Sequence, residues 1–190
     1  MQEKSVLISI QPKWCELILR GKKTVEVRKS RPKLKPPFKV YIYATKPRSK
    51  NDLGLILDKG MFGSSKEVGF LYKRNYETAK QLNMQILSGK VIGEFVCDCI
   101  ISHCEMANAD IAEHQGCIKR GKLLEYSNGK ELYGWHISKL VIYDKPKELN
   151  EFCKIIGSSE YEPLTRPPQS WCYVHKLDDI WRKEEKNDRT

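Results

Sequence analysis

The feature that most limits what this chain can fold into is the run from Val91 to Ile101, eleven residues without a proline and rich in β-branched side chains. Branching at Cβ crowds a helix and suits a pleated backbone, so the run predicts a strand. A period of two places Phe95, Cys97, Cys99 and Ile101 on one side and Glu94, Val96, Asp98 and Ile100 on the other. With apolar groups on both faces, this strand belongs in the middle of a sheet.

Shorter elements surround it. Val6 to Ile10 predicts a first strand. Pro12 suits the first turn of a helix, where its missing N–H costs nothing, and Trp14, Leu17 and Ile18 form one apolar stripe up to a stop at Gly21. Thr24 to Arg28 alternates, with Val25 and Val27 on one face and Thr24, Glu26 and Arg28 on the other. Arg31 to Pro37 is a proline-interrupted basic loop, and Phe38 to Thr45 resumes strand character. Lys46 to Lys66 is rich in Gly, Ser and Asn without a clean period, and predicts an insertion loop with at most one helical turn.

Farther along, Ala79, Leu82 and Ile86 predict an amphipathic helix within 75–87, ended by Ser88-Gly89. Residues 108–113 and 119–126 predict short helices, Trp135 to Tyr143 another strand, Pro146 to Phe152 a helix, and Trp171 to Val174 a closing strand. Irregular interleaving without repeated βαβ units argues for a mixed α+β domain over a doubly wound sheet. The expected organisation is one domain over 1–175, with the insertion at 46–66 and a charged tail at 176–190.

Charge adds information once it is located. Twelve Lys and Arg fall between Arg20 and Lys50 against the single acid Glu26, while the rest of the chain carries 22 basic and 23 acidic residues. The whole excess of +10 therefore sits in one segment. A concentrated cationic patch attracts phosphates through local potential and counterion release, although the same run also makes a solubilising face. No apolar run is long enough to cross a bilayer, so no membrane role is expected. Seven cysteines at irregular spacing, without a secretory pattern, predict reduced thiols and a cytoplasmic location.

Gly21, Lys23, Glu26 and Arg28 form Gly-x-Lys-x-x-Glu-x-Arg after a strand and a short helix. In that pattern the chain resembles the ASCH domain family. Val91-Ile92-Gly93-Glu94-Phe95 is similar to the family's central strand, and Trp135-His136-Ile137 to the one that follows. The resemblance implies a PUA-like mixed β-barrel with flanking short helices, its cleft lined by the helix end and the second strand. Such folds recur in RNA-modifying and modified-base-reading proteins. Some family members resemble nucleic-acid-binding modules, some hydrolyse N4-acetylcytidine, and at least one resembles a ribonuclease, so fold leaves function open.

The leading expectation is a nucleic-acid or nucleotide-binding domain, preferring RNA or single strands, without a cofactor. Its candidate contacts are Lys22, Lys23, Thr24, Glu26, Arg28, Lys29, Arg31, Lys46 and Trp171. Lys23 and Arg28 would meet phosphate or carbonyl oxygens, and Glu26 would orient them or read a base edge. A salt-bridge ladder along a strand would use the same residues. Trp171 is a candidate stacking partner for a base, whereas Trp14 lies on an apolar stripe and reads as core.

The alternative is a small hydrolase of the N4-acetylcytidine amidohydrolase kind, or a ribonuclease, with Lys23 and Glu26 catalytic. The resemblance implies a lysine, a threonine and a distant glutamate for amide hydrolysis. Lys23 matches, but Glu26 stands where the threonine belongs, and Glu105 and Glu113 compete for the third place. A partner-binding adaptor using the 46–66 loop and the tail is a weaker third reading. Cys97, Cys99, Cys104 and Cys117 with His103 and His114 lack the paired spacing of a zinc site, so no metal is expected.

Overall fold

The computed structural model describes residues 4–58, 67–106, 108, 110–156 and 160–176. The expected tail beyond residue 176, and residues 59–66 of the expected insertion, lie outside them. Strands dominate, and the helices are short. Among the described residues no helix is long and apolar enough to cross a membrane.

The first strand, β1 (Ser5–Ile10), is buried along nearly its whole length. Val6, Ile8 and Ile10 face the main core and Leu7 a second cluster behind it, which explains a continuous apolar run where a one-sided strand would alternate. Helix α1 (Pro12–Leu19) follows with its proline in the first turn. It buries Cys15 and Ile18, with Trp14 packed at the edge of the core. Gly21, at φ +68°, ends it as predicted, in the left-handed conformation that glycine adopts without a Cβ penalty.

Next come β2 (Val25–Arg28) and β3 (Phe38–Ala44). The expected central strand is β7 (Val91–Ile101), and the strand after it, β8 (Tyr133–Lys147), is longer than predicted. With β9 (Phe152–Ile156), β10 (Glu160–Pro163) and β11 (Trp171–Lys176) they form one eight-stranded sheet, in the order β10-β9-β11-β1-β3-β7-β8-β2. Among the described residues, only β1 and β3 run parallel within it.

This sheet corrects the expectation of a closed barrel. β2 and β10 are its two edges, and among the described residues neither pairs across to the other. The edge strand β2 is only four residues long and runs into a loop holding Pro32, Pro36 and Pro37, which lack the N–H groups needed to extend a ladder.

A separate three-stranded sheet, β5-β4-β6, comes from β4 (Leu53–Asp58), β5 (Glu67–Tyr72) and β6 (Gln85–Ile86). Part of the expected insertion loop is thus a strand. Leu55 and Leu57 reach the main core while Ile56 is buried behind them, so burial on both faces hides the period. The helix expected within 75–87 shrinks to α2 (Tyr76–Gln81). Asn83 takes φ +58° and Leu82 is exposed, so only Ala79 of the predicted stripe is buried.

The helix expected at 146–152 is replaced by the end of β8 and one 3-10 turn at Leu149–Glu151. Nor does the alternation of β7 persist to its end. A register shift against β8 between Cys97 and Ile100 leaves Cys97 buried and Cys99 exposed. Two short helices, α3 (His103–Met106) and α4 (Arg120–Ser127), flank a π-helical turn at Asp110–Gln115. They cover the outer side of β2, where Val25 and Val27 pack with Met106, Ala112, Leu123 and Leu132. Gly134 permits this approach, because a Cβ there would lie 2.6 Å from Met106 Sδ and 2.8 Å from Val25.

Candidate nucleic-acid interface

All four residues of β2 are buried, and its alternation divides them. Val25 and Val27 point toward α3 and α4, so Glu26 and Arg28 point to the opposite side of the strand, as their spacing predicts. Glu26 sits opposite Trp135 and Arg28 opposite Tyr133 on β8. Directly opposed residues share a face, which sets the fully buried Trp135 indole beside the carboxylate.

Three charges meet there. Glu26 Oε1 lies 2.9 Å from Arg28 Nη2, and Glu26 Oε2 lies 3.5 Å from Lys23 Nζ. The Lys23 ammonium also donates to the Gly116 carbonyl (2.5 Å) and sits 5.1 Å from the centre of the Trp14 ring. Burial lowers the Lys23 pKa below its ordinary value, and the charge of Glu26 opposes that shift. These are not rungs of a surface ladder, since the side chains of Lys23, Glu26 and Arg28 are 1%, 6% and 10% exposed.

Arg28 also spans the gap that backbone pairing leaves open. Its Nη2 donates to the Ser9 carbonyl on β1 (2.7 Å), and its Nη1 reaches Ser170 Oγ, ahead of β11, at 3.5 Å. Ser9 is held in turn by its Oγ donating to the Pro168 carbonyl (2.6 Å) and its N–H to that of Ser170 (2.9 Å). Side chains thus tie the edge strand β2 to β1, from which three strands separate it in the sheet order, and to the approach to β11. Two buried donors here, Arg28 Nε and Trp135 Nε1, meet no acceptor among the described residues. Each costs about 1–3 kcal/mol while unmatched.

Beside this centre, aromatic rings and cations alternate. Lys29 Nζ lies 4.9 Å from the centre of the Tyr126 ring, and the Arg31 guanidinium 5.7 Å from that of Tyr133. Trp171 Nε1 donates to Ser30 Oγ (3.0 Å), and the Lys33 N–H donates to the Tyr173 hydroxyl (2.8 Å). Trp171 packs edge-on between Trp135 and Tyr173, with centroids at 5.9 and 5.4 Å. Burial raises the Tyr126 pKa, with Arg28 and Glu26 acting in opposite senses, so the charges of the centre are felt at this ring.

Of the residues singled out in the sequence, Lys23, Glu26, Arg28, Lys29, Arg31 and Trp171 therefore gather in one region. Thr24 contributes backbone, its N–H donating to the Gln115 carbonyl and its carbonyl accepting from the Ile137 N–H. Lys22 is exposed on the approach to Lys23. Lys46 lies two residues past the end of β3 with its stem against Gly89, and no contact joins it to the other candidates among the described residues. The candidate third acids serve local turns: Glu105 accepts from Ser102, and Glu113 from the Arg120 N–H (2.9 Å).

Residues the sequence reading missed are Ser9, Gly116, Tyr126, Tyr133 and Ser170. No local pattern marks them, because each enters through a contact remote in the chain. Burial pushes the Cys97 thiol up to about 12, as for a small core residue, while Cys99 and Cys104 are exposed.

The sequence model of the ASCH domain family matches residues 8–148. Among solved structures, the chain is similar to an ASCH protein from Zymomonas mobilis, at 16% identity and a TM-score of 0.49, covering 95% of this chain and 94% of that one. A serine-to-alanine variant of that protein aligns at 16% identity and a TM-score of 0.48, with 95% and 94% covered. No curated protein sequence matches the chain.

Proposed function

The chain belongs to the ASCH domain family, and from that premise we propose that it binds nucleic acid, as RNA or another single strand, along the face between Arg28 and Arg31. The observation that carries this reading is the pairing of the Lys29 and Arg31 cations with the Tyr126 and Tyr133 rings, with Trp171 and Tyr173 held against Ser30 and the Lys33 backbone, beside the buried Glu26 and Arg28. Cations meet phosphates, and flat rings accept unstacked bases of any sequence. Glu26 holds the Arg28 fork against Ser9 and so anchors the start of the basic segment that follows.

Ten of the twelve cations between Arg20 and Lys50 are exposed, and only Lys23 and Arg28 are buried. Arg20 pairs with Glu16, and Lys39 with Glu94 at 2.9 Å. Lys22, Lys29, Arg31, Lys33, Lys35, Lys46, Arg48 and Lys50 meet no carboxylate partner among the described residues. A surface left electropositive in this way suits a polyanion.

Fluorescence anisotropy with labelled single-stranded RNA over a salt series tests the reading. Affinity is expected to fall steeply with salt, and the slope to drop by about one for each of Lys29→Ala and Arg31→Ala. Binding that is absent, or indifferent to salt, would falsify the proposal. Incubation with N4-acetylcytidine and with mixed RNA, read by mass spectrometry, separates binding from hydrolysis. Product that disappears in Lys23→Ala would replace the binding reading with the enzymatic one.

A further inference from the structure

The small sheet carries a second combination of rings and cations. β5 pairs only with β4 among the described residues, so its other side is an edge. Register sets Leu53 opposite Tyr72 and Leu55 opposite Phe70, which places all four on one face. Leu55 is buried in the main core. Toward the Tyr72 end the cover runs out, and Leu53, Phe70 and Tyr72 are 47%, 41% and 41% exposed. A cluster of large apolar groups, unlike single scattered ones, marks a surface with a partner.

What flanks this corner is positive. The Arg74 guanidinium lies 4.6 Å from the centre of the Tyr72 ring and donates to Asn51 Oδ1 (2.9 Å). The Arg74 N–H donates to the Lys50 carbonyl (3.0 Å) and the Lys73 N–H to that of Asp52 (3.1 Å). Those two bonds strap 50–52 against 73–74 and hold Arg74 beside the apolar corner, while the Lys73 ammonium donates to the Pro47 carbonyl (3.3 Å). The Asp52 carboxylate turns back to accept from the Ser49 N–H (2.7 Å). Lysine is depleted at protein–protein contacts, whereas rings bordered by cations suit stacked bases and their phosphates.

The strand that carries the corner is also tied to the segment leading into the first face. Arg20, at the end of α1 and two residues before Lys22, donates through Nη2 to the Val68 carbonyl on β5 (3.0 Å). From Val68 to Tyr72 the strand advances about 14 Å. We propose that Phe70, Tyr72, Leu53 and Arg74 form a second stacking site for single-stranded nucleic acid, filled when a strand bound at the Arg28 face is long enough to continue along β5. This inference rests on the nucleic-acid reading of the first face.

The test measures anisotropy of the full chain with a short and a long oligouridine, about five and about fifteen nucleotides. The long oligomer binds more tightly than the short one. Phe70→Ala with Tyr72→Ala weakens the long oligomer roughly ten-fold and leaves the short one unchanged. Tyr72→Phe, which keeps the ring, retains binding. Arg74→Ala, an exposed change, weakens only the long oligomer and lowers its salt slope by about one, and it decides the matter if the double variant melts early. Long-oligomer affinity that ignores these changes while responding to Lys29→Ala overturns this inference alone. Equal loss for both lengths, with melting unaltered, overturns it as well, because one site would then serve both. No binding of either oligomer by the unaltered chain overturns this inference and the first-face reading together.

Discussion

Lys23 and Arg28 stand a few residues from Lys29 and Arg31, yet the two pairs meet different physics. The first pair is buried and its charges are answered from within, by Glu26 and by the carbonyls of Gly116 and Ser9. The second pair is exposed and rests on tyrosine rings without a carboxylate partner among the described residues. A desolvated cation is costly unless it is matched, so the first pair is bound up with the fold. A hydrated cation is available to a ligand, and its worth is set by salt.

Removing the shared carboxylate should separate the two pairs most sharply. Glu26→Gln leaves two cations in the interior without their counter-charge and is expected to cost about 3–5 kcal/mol in urea denaturation. Lys29→Ala should stay within about 0.5 kcal/mol in the same assay. Equal costs for the two variants would erase the distinction drawn here.

Ligand binding is where the exposed pair should dominate. Tyr126→Ala removes the half-buried ring beneath Lys29 and is expected to weaken single-strand binding by about 1–3 kcal/mol. Joint replacement of Lys29 and Arg31 by alanine should weaken affinity uniformly across base sequences, because phosphate contacts carry no base information. A change in base preference would instead assign these cations to base edges.

The smallest effect is a pH dependence. Burial lowers the pKa of Lys23 in the folded state, so between that value and the ordinary 10.5 the unfolded chain holds the extra proton. Stability then rises with pH through this alkaline window, in the opposite sense to a lysine whose pKa is raised by folding. Compared by urea denaturation, the unaltered chain should gain on Lys23→Met as pH climbs toward 10.5. A gain that runs the other way would mean that Glu26 outweighs desolvation at this amine.

Local pattern was enough for α1 and β2, whose breakers and period are clean: Pro12 at the start of α1, Gly21 at its end, and the two-residue alternation that sends Glu26 and Arg28 to one side; for β1 and β7 the β-branched composition was enough without a clean period. It misjudged segments where burial or a turn masks the local period. β4 is buried on both faces and showed no period, while Leu82 fitted a helical stripe that the turn at Asn83 cuts short. The candidate site divides along the same line. Lys23, Glu26 and Arg28 lie within six residues and were legible together, but Tyr126, Tyr133 and Ser170 reach them from α4, β8 and the approach to β11.

By itself the amino-acid order determined that positive charge is concentrated before residue 51, that a long strand anchors a mixed α+β domain, and that the Lys-Glu-Arg spacing shares a strand face. Only the tertiary structure decided which cations are desolvated and which remain in water. It also decided that the sheet stays open at β2, with Arg28 reaching Ser9 across the gap. The reason is that charge and period are local properties of a chain, whereas burial depends on which remote segments arrive to cover a side chain, and neighbours in sequence do not choose them.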